Sequence, residues 1–135
     1  MRILIADDNA LVRRGLRELL SSKTEWEVCG EAAGGSETLV KAQEFQPDLI
    51  LLDISMPGMN GLQVARLLRQ EVPKAKILVI SQHDPVHLLP RVMEAGAHAC
   101  VDKSRLDPDL LLTIQKMGRS SSPSASGFPS SSAQG

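Results

Sequence analysis

The chain is poor in aromatic residues: two Phe, one Trp and no Tyr in 135 residues. It has no basic excess either, with 15 Lys and Arg against 16 Asp and Glu. Binding that works by neutralising phosphate backbones normally needs such an excess, so direct nucleic-acid binding is not expected. It has only two cysteines, Cys29 and Cys100, too few and too isolated for a disulfide framework or a zinc site. No apolar run approaches the roughly 20 residues of a membrane span, so no membrane partner is expected. The run Ile3–Ala6 stops at two aspartates, which is not the pattern of a signal peptide. A reduced, cytoplasmic, soluble domain is the expectation.

What is present is a 42% hydrophobic chain of the length of one ordinary domain. Residues 118–135 stand apart, with eight Ser, three Gly and two Pro. Such a segment buries too little apolar area to offset its ordering entropy. The expected organisation is a folded domain over 1–117 and a flexible tail or linker stub over 118–135. No effector domain is expected within the chain after Met117, which leaves a single-domain regulator or a linker to an effector further on.

Over 1–117, short apolar runs alternate with amphipathic segments. Strands are expected at Arg2–Ala6, Trp26–Gly30, Leu49–Leu52, Lys76–Ile80 and Ala99–Val101. Helices are expected at Ala10–Leu20, from a Ser36 cap to Pro47, at Gly61–Gln70, up to Gly96, and at Pro108–Met117. The first helix should bury Leu11, Gly15, Leu16, Leu19 and Leu20 and expose Arg13, Arg14 and Arg17. Asp84-Pro85 is a helix-start signature, yet Pro90 would break a helix begun there. Two readings stand: a loose turn over Asp84–Leu89 with the stable helix starting at Pro90, or a helix kinked at proline. Five βα units in succession imply an α/β fold, a doubly wound five-stranded parallel sheet with five helices.

In such sheets ligands bind outside the carboxyl ends of the strands. Those ends carry Asp7 and Asp8, Asp53, Ser81, and Asp102 with Lys103. Taken singly, each is as well explained as a helix cap or turn former. Taken together they are not, because gathered carboxylates repel and burial aggravates the cost. A shared hard cation resolves that, and an oxygen-only set suits Mg²⁺. Lys103 suits an anion such as a phosphoryl group. Metal, carboxylate, lysine and hydroxyl together fit phosphoryl transfer onto an aspartate.

With Ile5-Ala6-Asp7-Asp8-Asn9, Pro47-Asp48-Leu49-Ile50-Leu51-Leu52-Asp53-Ile54-Ser55-Met56-Pro57-Gly58-Met59-Asn60-Gly61, Ser81, Glu94-Ala95-Gly96-Ala97 and Lys103 in order, the chain resembles the response-regulator receiver domains of two-component signalling. Leu11-Val12-Arg13-Arg14-Gly15-Leu16 looks like the NarL/FixJ-type subfamily, whose receivers often precede a DNA-binding helix-turn-helix domain. The resemblance implies the flavodoxin-like strand order 2-1-3-4-5 of CheY-like proteins. It implies Asp53 as phosphoacceptor, with Ser81 and Lys103 contacting the phosphoryl group. Asp8 would bind Mg²⁺ directly, Asp7 mainly through water, with Asp53 and the Ser55 backbone carbonyl completing the set. The implied donor is a phosphohistidine on a sensor histidine kinase or phosphotransfer protein, or a small phosphodonor, and a homodimer is one further implied partner.

Two positions depart from the family pattern. Cys100 stands where many receivers carry Tyr or Phe, and it reads as a small apolar core residue. Gln82 is long and polar where receivers usually have a small residue. Two rivals remain: a receiver-like scaffold that is never phosphorylated, and an aspartate-nucleophile phosphatase. The intact acidic site argues against the first. The second usually has an aspartate where Ser55 stands. Pro57-Gly58 reads as a turn, Met56 and Met59 as loop packing, and His83, His87 and His98 as surface or loop residues without metal spacing.

Overall fold

The structure, a computed structural model, describes residues 1–56, 60–82 and 85–120. The Pro57-Gly58 turn, Met59, His83, the Asp84 cap and the tail beyond 120 lie outside them. The elements run β1 (Arg2–Ala6), α1 (Ala10–Leu20), β2 (Glu27–Ala32), α2 (Gly35–Phe45), β3 (Leu49–Asp53), α3 (Gly61–Glu71), β4 (Lys76–Ser81), α4 (Pro85–Glu94), β5 (Ala99–Asp102) and α5 (Leu106–Ser120). All strand pairs are parallel, and the order is β2-β1-β3-β4-β5, as the resemblance implied.

The central strands are apolar on both faces, and their alternation divides two packing layers. Leu4, Ala6, Ile50, Leu52, Ile77 and Val79 join one cluster with Ala42 of α2, Leu62, Ala65 and Leu68 of α3 and Val92 of α4. The residues between them, Ile3, Ile5, Leu51, Leu78 and Ile80, are buried on the opposite face, as are Leu16 and Leu20 of α1. Asn9 caps α1 by accepting from the Leu11 and Val12 N–H groups, and Asn60 caps α3 by accepting from Leu62 N–H. Gly61 lets the start of α3 approach β3, since a Cβ there would meet the Ile54 carbonyl oxygen at 2.5 Å. Gly96, at φ 102°, closes α4 in a conformation that disfavours any side chain.

Several expectations need correction. α4 does not start at Pro90 but runs from Pro85 to Glu94 with Pro90 inside it. Proline removes one intrahelical bond, while buried Val92 and Ala95 and the bond from Ala95 N–H to the Arg91 carbonyl hold the following turn. Leu11 is 78% exposed rather than buried, because it sits in the first turn, on the side of α1 away from Leu16 and Leu20. Arg13, expected on the surface, is only 18% exposed in its side chain.

β2 continues past Gly30, because β1 still offers Ile5 and Ala6 as partners for Glu31 and Ala32. Gly30 there marks a close approach to the Phe45 ring rather than a strand end. Ser36 does not cap α2. The N-cap is Gly34, and Glu37 reaches back to accept from Ala33 N–H at 2.7 Å.

The chain divides into two compact units, Met1–Ser104 and Arg105–Gly135. In the second, α5 has one non-helical residue, Asp107, so the regular helix begins at Pro108, as expected. It runs to Ser120, three residues past the expected boundary at Met117. Leu110, Ile114 and Met117 form its buried face. No helix among the described residues is long and apolar enough to cross a membrane.

Candidate functional site

β1 and β3 are neighbours in register, Ala6 beside Leu52. Their carboxyl ends therefore deliver Asp7 and Asp53 side by side. Both are buried, at 0% and 1% exposure, while Asp8 is exposed at the rim. One carboxylate oxygen from each of the three lies within 4.8 Å of the others. β4 ends in Ser81, fully buried and in register with Asp102 of β5. The next residue, Lys103, points its Nζ between the two buried acids, 3.0 Å from Asp7 Oδ2 and 3.2 Å from Asp53 Oδ2. The five side chains singled out in the sequence thus sit around one strand-end edge of the sheet.

Local hydrogen bonds fix the carboxylates. Asp7 Oδ1 accepts from Asn9 N–H at 2.8 Å, and Asp53 Oδ1 accepts from Ser55 N–H at 2.9 Å. Ile54 N–H donates to the Ile80 carbonyl at 3.1 Å, tying the residue after Asp53 to β4. Ser55 itself is exposed, two residues past Asp53. Burial, joined by the negative charge of Asp53, pushes the Asp7 carboxyl above its ordinary range despite the Asn9 and Lys103 contacts. Burial alone would lower the Lys103 ammonium, but its close contacts with Asp7 and Asp53 outweigh that and raise it. Lys103 is therefore a fixed cation at neutral pH.

The donor set fits a divalent cation. Asp7 Oδ2 is buried and forms an ion pair with Lys103 but has no partner in hydrogen-bond geometry. A buried, ionised oxygen left so is costly unless something positive fills the remaining lone pair. All three donors are hard carboxylate oxygens, and exposed Asp8 leaves the rim open to waters, as Mg²⁺ prefers.

Beside Lys103 opens a surface pocket of about 420 Å³ lined by Val12, Gln82, Asp102, Lys103 and Ser104. Gln82 is exposed at its edge. Asp102 Oδ1 accepts from the N–H and hydroxyl of Ser104 at 2.9 and 2.7 Å. Cys100 is half-buried against the apolar cluster, and burial pushes its thiol up to about 11. It packs as a small core residue and is not a reactive thiolate. Met56 is 5% exposed and belongs to the same cluster. Of the histidines, His87 is exposed on α4, and His98 accepts from Ile77 N–H through Nδ1 at 3.1 Å.

The sequence reading missed Arg13. Its guanidinium donates to the Asp7 carbonyl oxygen at 2.7 Å through Nη1 and to Glu31 Oε1 at 2.9 Å through Nε. The pairing of Arg13 and Arg17, four residues apart on α1, with one glutamate at the end of β2 was the available signal.

Residues 3–115 match the profile of the response regulator receiver domain. The chain is 40% identical over 119 residues to the uncharacterized transcriptional regulatory protein YhcZ of Bacillus subtilis (strain 168), covering 87% of this chain and 55% of that protein. It is 31% identical over 122 residues to the response regulator protein VraR of Staphylococcus aureus, covering 90% and 58% respectively. It thus spans little more than half the length of these relatives. Among solved structures, a LuxR-family two-component response regulator from Aurantimonas sp. SI85-9A1 superposes with a TM-score of 0.83 at 30% identity, covering 95% of this chain and 89% of that one.

Proposed function

Because the chain belongs to the response regulator receiver domain family of two-component systems, we propose that it accepts a phosphoryl group on Asp53 in a Mg²⁺-dependent reaction and signals by a change of conformation. The observation that carries this reading is the buried Asp53 carboxylate lying 3.2 Å from Lys103 Nζ and within 4.8 Å of Asp7 and Asp8. An Asp53 oxygen attacks phosphorus, and the phosphorus–nitrogen bond of a phosphohistidine donor breaks. The leaving imidazole keeps the bonding electron pair and is protonated from water. Little covalent chemistry is asked of the protein, so positioning and charge stabilisation do the work.

Asp7, Asp8, Asp53 and the Ser55 carbonyl would hold Mg²⁺, which when bound shields the incoming phosphoryl oxygens from the acidic pocket. Lys103 neutralises a further phosphoryl oxygen, and the Ser81 hydroxyl offers a hydrogen bond to it. The donor is a sensor histidine kinase or phosphotransfer protein, or a small phosphodonor, and the place of action is the cytoplasm. The product is a signalling state of the protein rather than a released compound, so the domain is not an enzyme in the turnover sense. Ser55, where a phosphatase of this chemistry would need an acid–base aspartate, supports that reading.

The test mixes the chain with Mg²⁺ and acetyl phosphate. One acid-labile phosphoryl group per chain, mapped to Asp53 and abolished by EDTA, is expected. Asp53→Asn should remove the label while the circular dichroism spectrum stays unchanged. Equal labelling of Asp53→Asn overturns the assignment, and release of phosphate at many turnovers per minute favours a phosphatase.

A further inference from the structure

Among the bonds described, Arg13 has none to the carboxylates of Asp7, Asp8 or Asp53. Yet its position is more constrained than that of any other arginine on α1. Its Nη1 donates to the Asp7 carbonyl oxygen at 2.7 Å and its Nε to Glu31 Oε1 at 2.9 Å. Glu31 is itself held from the other side, its Oε2 accepting from Arg17 Nε at 2.6 Å. Lys41 Nζ donates to the Glu31 carbonyl and pairs with Glu37 at 3.3 Å, so α2 also grips this strand end. Glu31 is paired with Ile5 in the sheet, two residues before Asp7.

The carbonyl that Arg13 grips belongs to the peptide joining Asp7 to Asp8. A peptide unit is planar, so fixing that oxygen fixes the Asp8 N–H and the direction in which Asp8 leaves β1. The Asp7 N–H is already bound to the Ala32 carbonyl at 3.0 Å and Asp7 Oδ1 to Asn9 N–H at 2.8 Å. The Asp7 carbonyl is the remaining backbone handle on the acidic pair, and Asp8, exposed at the rim, has no such restraint of its own among the bonds described. From this geometry we infer that Arg13 is a positioning residue for the metal end of the site, held in place by Glu31. It aims Asp8 at the cation through the Asp7–Asp8 peptide. This rests on the proposed Mg²⁺-dependent function.

Sign separates this role from plain electrostatics. Arg13 is a cation near an acidic pocket, so Coulomb's law alone makes its removal tighten Mg²⁺ binding. Positioning makes its removal weaken it. The fork also matters, since one planar guanidinium reaches the carbonyl and the carboxylate together, whereas an ammonium is a single point donor.

The experiment titrates Mg²⁺ into the full chain and its variants and reads the dissociation constant from backbone amide shifts. Arg13→Gln should raise it by about five- to tenfold, the effect of losing one well-made bond to a fixed group. Arg13→Lys, which keeps the charge and is the variant safest for folding, should lose about half of that effect in logarithmic terms. Glu31→Gln should act in the same direction, and adding it to Arg13→Gln should change nothing further, because it acts through Arg13. At saturating Mg²⁺ the labelling rate of Arg13→Gln should return to within about twofold of the parent, which a damaged fold would not do. Tighter or unchanged binding in Arg13→Gln overturns the inference, as does Arg13→Lys behaving like the parent. If Mg²⁺ fails to bind the parent chain, the proposed function falls too. If the parent binds and Arg13→Gln binds alike, only this inference falls.

Discussion

Asp53 ends a strand in which all five residues are buried, and its neighbours Asp7 and Lys103 are each tied to at least two groups. α4, the helix that follows the strand-end residue Ser81, is made differently. It leaves Val86 76%, Leu89 42% and Met93 48% exposed and carries a proline in its interior. Among the described residues of this segment, Val92 and, just past the helix end, Ala95 are buried in the core. The buried acids are tied to neighbouring groups, whereas α4 turns three large apolar side chains to solvent. Local opening is cheapest where buried contacts are fewest. Chemistry that demands fixed geometry and a segment that can shift at low cost therefore lie side by side in one chain.

The largest expected effect breaks the comparison on the pocket side. Asp8→Ala removes one of three converging carboxylates, and Mg²⁺ affinity should fall by about tenfold or more, the order reported for losing a group from a metal site or its support. Isothermal titration calorimetry checks this, and an unchanged affinity would mean that Asp7 and Asp53 suffice.

A middle-sized effect belongs to α4. Pro90→Ala restores the N–H that proline lacks, in a helix interior where proline costs about 3 kcal/mol relative to alanine. Part of that is returned through the unfolded chain, which alanine leaves freer, so a net gain of roughly 1–2 kcal/mol is expected in urea unfolding. Amide exchange at Val92–Ala95 should slow, while the labelling of Asp53 stays as it was. If neither stability nor exchange moves, α4 is not the weaker region.

The smallest effect sits at the far end of β4. His98 N–H donates to the Ile77 carbonyl at 2.8 Å while His98 Nδ1 accepts from Ile77 N–H at 3.1 Å. The second bond needs a bare nitrogen. Burial, then the charges of Arg69 and Lys76, lower the His98 pKa from its ordinary 6.5. The unfolded chain therefore takes up the proton first. Stability from this group is complete above pH 6.5 and declines as pH falls through that value toward the lower folded pKa. Melting scans of the parent and His98→Gln between pH 7.5 and 5.5 should show a small drop in the parent that the variant lacks.

The strand ends were legible in the sequence because strand direction is a global rule: once five βα units are recognised, Asp7, Asp53, Ser81 and Lys103 must emerge at one edge. That Lys103 pairs with both buried acids was not read from the sequence, which offered it only as a partner for an anion. Arg13 was harder to read, since a helical wheel places it among Arg14 and Arg17, and its one signal, a shared glutamate, takes effect through the pairing of β2 with β1 that brings Glu31 to it. The start of α4 was left open between Pro85 and Pro90 because the proline rule is local, whereas Val92 and Ala95 are held from outside the helix. Leu11 misled because an apolar residue in the first turn was counted with the buried face, whereas its helical angle sets it opposite Leu16 and Leu20.

Asp7 Oδ2, buried with no hydrogen bond, has a thermodynamic consequence. In the unfolded chain Asp7 and Asp53 are 53 − 7 = 46 positions apart, and no site exists there for a cation. Magnesium that binds only the folded form acts as a stabilising ligand, by about 2.7 kcal/mol at a hundredfold excess over its dissociation constant. The same cation that the proposed phosphoryl transfer uses would then raise the unfolding temperature of the domain. Melting temperatures of this chain would then be functions of free Mg²⁺, and two of them could be compared only at the same concentration.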